Sequence, residues 1–252
     1  MKYKTAVFDL DGILLRNGVL ERESRKAISI LKENGVRIIY SSGKNYWYTA
    51  GGVSFCGMME KSTIIMAENG GLAYYPEKRE LHTLGKNIRD VGILAEEYIS
   101  CCCTDNGSSL VHNDSTSLLW REPKDTIFTL FPKDLGAIGA ISEEIRSIIE
   151  KKDLSLYVVE HSDAVDTVPL GQNKGTALVH LHKKGEIDLD TTIAFGDGAN
   201  DAEMLSAVAM PVTVSNAKDH IKEIVKRRNG IIAEKSVGKG VLEAVTELVA
   251  RP

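Results

Sequence analysis

The sequence contains no apolar run near the roughly 18 residues that a membrane-spanning helix requires. Met1-Lys2-Tyr3-Lys4 leads straight into an apolar segment without a secretory-signal pattern, so a cytoplasmic protein with no membrane partner is expected. Cysteine is scarce. The 4 residues are Cys56 and the consecutive Cys101, Cys102 and Cys103, which lack C-x-x-C spacing and include neighbours badly placed to bridge one another. They read as reduced thiols, and the triplet has no nearby His/Cys pair to complete a metal site. Positive charge is not in excess either. With 31 Lys and Arg against 35 Asp and Glu, the formal net charge is −4, and the densest basic cluster reads as a solvated helix end. Nucleic acid is therefore not an expected partner.

What remains is an ordinary soluble globular composition, 43% hydrophobic and 26% charged. At 252 residues the chain is long for one compact domain and short for two, which favours a core carrying a smaller insertion.

Thr5-Ala6-Val7-Phe8 is a β-branched and aromatic run that ends in Asp9-Leu10-Asp11-Gly12. It reads as a buried strand with two carboxylates at its tip, where an open α/β sheet binds its ligands. The same residues also suit a plain turn. A capped amphipathic helix follows from Ser24 to the stop at Gly35, then a second strand from Val36 that ends in Ser41-Ser42-Gly43. Strand, helix and strand make a right-handed parallel unit. Thr63 to Ala67 is a third strand, closed by Glu68-Asn69-Gly70-Gly71.

After about His82 this rhythm weakens. Helical stretches lie near 88–99 and 135–152, a Ser/Asp/Asn-rich segment covers 104–117, and strands at 154–160 and 163–168 are joined by a tight turn. Residues 82–168 thus read as an inserted α+β cap between core segments 1–81 and 169–252. The rhythm resumes with a helix from about Lys174 to Lys184. Thr191 to Gly196 is again a strand, delivering Asp197-Gly198-Ala199-Asn200-Asp201 to a helix start. The expected fold is α/β, a doubly wound, mostly parallel Rossmann-like sheet with the cap inserted.

In one parallel sheet the two acidic tips would meet. Two carboxylates about 4 Å apart repel by roughly 4 kcal/mol at an effective dielectric near 20, so such a cluster demands a cation. Hard oxygen ligands select Mg²⁺, and no twelve-residue calcium loop is present.

Asp9-Leu10-Asp11-Gly12, Ser42-Gly43-Lys44, Lys174-Gly175 and Gly196-Asp197-Gly198-Ala199-Asn200-Asp201 resemble the four ordered motifs of the haloacid dehalogenase (HAD) superfamily of phosphatases. The insertion between the second and third motifs is similar to a C2-type cap. Glu68-Asn69-Gly70-Gly71 and Trp120-Arg121-Glu122 resemble archaeal-type phosphoglycolate phosphatases. This resemblance implies that Asp9 is the nucleophile and Asp11 the general acid and base. Mg²⁺ would be held by Asp9, the backbone carbonyl of Asp11, Asp197 and, directly or through water, Asp201. Ser42, Gly43 and Lys174 would bind the phosphoryl group. Arg121 would grip a second anionic group on the substrate, or else pair at the surface with an acid such as Glu122. Asn69 would contact substrate, or simply occupy a left-handed turn. Two departures carry no assigned role: Ile13 stands where Thr is common, and Lys44 where Arg or Asn is frequent.

The expected reaction is hydrolysis of 2-phosphoglycolate to glycolate and phosphate. Its alternatives are a sugar-phosphate phosphatase or a phosphomutase of the same superfamily. From another class, a phospho-accepting regulatory switch would place its acidic pair and its acceptor in a different order. Gly196-Asp197-Gly198 begins a near match to a dinucleotide fingerprint, but Asp201 replaces the last glycine and Asp197 would oppose a pyrophosphate.

Overall fold

The structure, a computed structural model, describes residues 1–102 and 119–250. The Ser/Asp/Asn-rich segment and Cys103 lie outside the described residues, as do the side chains of Cys101 and Cys102. The chain divides into two compact units: Met1–Leu84 with Asn173–Pro252, and Gly85–Gln172.

The first unit opens with β1 (Thr5–Asp9), a small hairpin of β2 (Leu15–Arg16) and β3 (Val19–Leu20), and helix α1 (Arg22–Glu33). It continues through β4 (Arg37–Ser41), α2 (Tyr46–Phe55), β5 (Ile64–Ala67), β6 (Leu72–Tyr75) and β7 (Glu80–Thr83). In the second unit come α3 (Ile88–Cys102), β8 (Leu119–Glu122), β9 (Phe128–Pro132), α4 (Ile138–Lys152), β10 (Leu156–Glu160) and β11 (Val165–Pro169). The chain then returns to the first unit as α5 (Lys174–Lys183), β12 (Thr192–Phe195), α6 (Ala202–Ala207), β13 (Met210–Thr213), α7 (Asp219–Arg227), β14 (Ile231–Ile232) and α8 (Val237–Ala250).

The core sheet has the order β14-β13-β12-β1-β4-β5-β6-β7. Its first six strands are parallel, and β6 and β7 continue it as an antiparallel hairpin. Alternate residues supply the two faces, as strand pleating requires. Ala6, Phe8, Ile38, Tyr40, Ile193 and Phe195 pack with Ala27, Ile28 and Leu31 of α1 and Val241, Ala244 and Val245 of α8. Val7, Ile39, Ile64, Met66 and Ala194 pack with Ala177 and Leu178 of α5, Met204 and Leu205 of α6, and Ile221 of α7. Helices on both faces leave the central strands buried, which is why they read as unbroken apolar runs.

The second unit is a four-stranded antiparallel sheet, β10-β11-β9-β8. Val91, Leu94 and Tyr98 of α3 and Ile141 and Ile145 of α4 close one core with Phe128, Leu130 and Val165 of the sheet. The sequence reading puts the joints at 81/82 and 168/169, whereas the units divide at 84/85 and 172/173. The reason is pairing. β7 stays hydrogen-bonded to β6 through Thr83, and β11 to β10 through Pro169. Among the described residues no helix is long and apolar enough to cross a membrane.

Candidate active site

β12 pairs directly with β1, Phe8 opposite Phe195, and their stacked rings lie 4.4 Å apart between centroids. β4 flanks β1 on its other side, with Asp9 opposite Ser41. The carboxyl ends of three neighbouring strands therefore bring Asp9, Ser42 and Asp197 to one edge. Carboxylate oxygens of Asp9, Asp197 and Asp201 all lie within 4.8 Å of one another.

Lys174 closes this cluster. Asn173 caps α5, its side chain accepting from the Thr176 amide while Thr176 Oγ1 accepts from the Asn173 amide. This fixes Lys174 in the first turn. A Cβ on Gly175 would come within 2.6 Å of the Glu203 backbone, so glycine is what lets α5 approach α6 this closely. The Lys174 side chain is fully buried and its Nζ donates to Asp9 Oδ1 at 2.5 Å and Asp201 Oδ1 at 2.7 Å. Burial opposes its charge, yet the two carboxylates outweigh burial and raise its pKa. Asp201 Oδ2 accepts from the amides of Asp197 and Gly198, both at 3.0 Å, which shapes the loop that presents Asp197.

Three carboxylates against one ammonium leave two uncompensated negative charges in a desolvated site. Their protonation behaviour reflects this. Burial raises the pKa of Asp9 most, with Lys174 opposing and Asp201 adding to the rise. Burial and then the Asp201 charge push Asp197 up to about 6. A divalent cation would restore neutrality, and a donor set made only of carboxylate oxygens suits a hard ion. The residues present fit a metal.

Asp11 lies apart from the cluster. Its carboxylate is 47% exposed and its Oδ2 accepts from Lys44 Nζ at 2.7 Å. Among the described residues its side chain is not part of the acidic cluster. Gly12, next in the chain, has φ of +79°, and a Cβ there would stand 2.1 Å from Asp197 Oδ2. Ser42 is buried, its Oγ accepting from the Lys44 amide at 3.2 Å. Asn69 adopts the left-handed conformation, φ 52° and ψ 37°, and its amide donates to the Ser42 carbonyl. Its Oδ1 accepts from Asn200 Nδ2 at 3.1 Å, and a Cβ on Gly43 would stand 3.0 Å from that same oxygen. Asn69 thus occupies a left-handed turn, and its Oδ1 ties this loop to the one that carries Asn200.

Arg121 belongs to the other unit, on β8 opposite Leu130, with its guanidinium 5.3 Å above the Phe128 ring. Its Nε is buried with no hydrogen-bond partner among the described residues. Glu122, offered as a partner for Arg121, pairs with Lys124 at 2.9 Å.

Two residues escaped the sequence reading. Lys44 stands in the second motif with no role assigned to it, although its place directly after Ser42-Gly43, at the tip of the strand beside β1, is a usable signal. Asn216 follows β13 and donates to both the Gly12 carbonyl at 3.0 Å and Asp197 Oδ2 at 3.1 Å, tying the two acidic loops together.

Residues 103–245, more than half of the chain, match the model of the haloacid dehalogenase-like hydrolase family. The chain belongs to this family. This haloacid dehalogenase-like hydrolase is 27% identical over 238 residues to a phosphoglycolate phosphatase of Halobacterium salinarum, spanning 92% of the chain and 94% of that protein. A phosphoglycolate phosphatase of Methanosarcina mazei is 26% identical over 247 residues, 97% and 96% of the two chains. The crystal structure of a haloacid dehalogenase-like hydrolase from Bacteroides thetaiotaomicron shares the fold, with a TM-score of 0.77 at 22% identity over 98% of this chain and 99% of that one.

Proposed function

We propose that this haloacid dehalogenase-like hydrolase is a Mg²⁺-dependent phosphatase that acts on 2-phosphoglycolate. The observation that carries the reading is the buried Lys174 bridging Asp9 and Asp201 beside Asp197. Relatives of nearly the same length, named for phosphoglycolate, support the substrate.

Asp9, Asp197, the Asp11 backbone carbonyl and, directly or through water, Asp201 would hold Mg²⁺, which when bound would offset the carboxylates and polarise the phosphoryl oxygens. Lys174 pins Asp9 Oδ1, leaving Oδ2 for in-line attack on phosphorus. The P–O bond to the alcohol breaks as the Asp9–phosphorus bond forms, and Asp11 gives its proton to the departing oxygen. Asp11 then takes a proton from water, whose oxygen displaces Asp9 from phosphorus. Ser42, the Gly43 backbone and Lys174 donate toward the equatorial oxygens, where charge is spread. Asn69 holds that wall in place.

Purified protein with Mg²⁺ should release phosphate from 2-phosphoglycolate. Asp9→Asn should fold, melt at least as high as wild type without metal, and release none. An Asp9→Asn variant with wild-type turnover would remove Asp9 as nucleophile.

A further inference from the structure

We propose that Lys44 is a specificity residue that binds an anionic group, a carboxylate in the first instance, on the leaving-group side of the substrate. The inference deepens the phosphatase reading and rests on it. Lys44 is set rigidly. Its amide donates to Ser42 Oγ at 3.2 Å, its carbonyl accepts from the Glu68 amide at 3.0 Å, and its ammonium lies 5.0 Å over the Tyr48 ring and 2.7 Å from Asp11 Oδ2.

The position follows from what Asp11 must do. A general acid has to come within about 3 Å of the oxygen it protonates, so with Asp11 Oδ2 giving the proton the Lys44 ammonium lies within about 6 Å of the departing oxygen. A carboxylate one carbon beyond that oxygen would meet the ammonium alongside Asp11. Its charge matches. Asp9, Asp197 and Asp201 are balanced by Lys174 and a divalent metal, so when Asp11 carries the proton that it gives to the departing oxygen, Lys44 is a positive charge left without its carboxylate partner. At 38% exposed, its side chain keeps an open side for a ligand while Tyr48 shields the other. A lysine gives a point charge rather than a fork, which suits a small carboxylate approached from one side.

The test is the ratio of kcat/KM for 2-phosphoglycolate to that for 2-hydroxyethyl phosphate, which replaces the carboxylate by a neutral group of similar size. Wild type should prefer the carboxylate. A charge-assisted hydrogen bond lost from a partly shielded site predicts that Lys44→Met reduces this ratio about ten- to hundredfold, mainly through KM, while Lys44→Arg keeps most of it. Activity on the neutral ester reports any general damage to Asp11 and cancels in the ratio. Three results would overturn the assignment: a wild type with no preference, a Lys44→Met ratio equal to wild type, or a fall seen only in Arg121→Ala. Release of phosphate from p-nitrophenyl phosphate in those cases would leave the phosphatase reading standing. If wild type with Mg²⁺ turns over none of the three esters, that reading fails instead.

Discussion

Replacing Lys174 by methionine keeps most of the side-chain volume but removes the ammonium that bridges Asp9 and Asp201. Its side chain is fully buried and both bonds are short, so no water stands ready to take its place. Removing one partner of a buried ion pair typically costs about 3–5 kcal/mol, because the remaining charge is left desolvated. Here two carboxylates are stranded, with Asp197 adding repulsion. For a chain of this size each kcal/mol moves the melting temperature by about 2–4 °C, so Lys174→Met should melt roughly 6–20 °C below wild type in chelator at pH 8.

Two conditions should return part of the loss. Metal at a hundred times its dissociation constant stabilises by about 2.7 kcal/mol, and the more negative variant site should bind it more tightly than wild type. The Mg²⁺-induced rise in melting temperature should therefore be larger in Lys174→Met. Lowering the pH to about 5 should also narrow the gap, because Asp9 and Asp197, already raised, take up protons instead of remaining charged. Thermal melts of both proteins, with chelator and with Mg²⁺ at each pH, decide the matter. A drop of only a degree or two in chelator, or a Mg²⁺ response no larger than that of wild type, would refute the charge-balance argument.

The same electrostatics governs wild type. A carboxylate whose pKa is raised on folding contributes stability that is fully present below its ordinary value of 3.8 and is lost as pH rises through the folded value, about 6 for Asp197 and displaced upward for Asp9. Mg²⁺ competes with those protons, so its stabilising shift should grow between pH 5.5 and pH 8; a pH-independent shift would contradict this. Gly12→Ala places a Cβ against Asp197 in a left-handed backbone, which should cost about 1–3 kcal/mol and at least tenfold in activity, read by denaturant melts and phosphate release. In the cap unit, His161 lies 3.1 Å from Asp166 Oδ2, and that hydrogen bond raises its pKa. Burial opposes the charge on Asp166, but His161 and Lys124 outweigh it and its pKa is lowered. The pair stabilises above the ordinary carboxylate range and loses its effect as pH rises through the raised His161 value. His161→Asn should therefore cost no more than about 1 kcal/mol at pH 6 and nearly nothing at pH 9, and a cost unchanged with pH would rule out the ionic pair.

The parts of this molecule legible in its sequence are those in which burial on both faces leaves a continuous apolar imprint. β1, β4, β5 and β12 each read as short β-branched runs, and each ends in the polar residues now found at the sheet edge. α2 left no such imprint, because Tyr46 to Phe55 has no charged residue and two glycines, so its buried Thr49, Ala50 and Val53 do not stand out from its exposed Trp47 and Phe55. The hairpin of β6 and β7 was obscured by the charged residues of its turn, and the unit boundaries shifted with it. Side-chain direction is harder still. Nothing in the pattern around Asp9-Leu10-Asp11 says that one carboxylate enters the acidic cluster while the other meets Lys44, because that split depends on which loop lies opposite each. Nor does any local pattern place Asp9 beside Asp197, which are neighbours only because the chain completes a separate unit before β12 pairs with β1. The four motifs could be recognised in order, but their convergence is a property of strand order. The charge balance at Lys174 is the physical quantity through which that convergence is measurable.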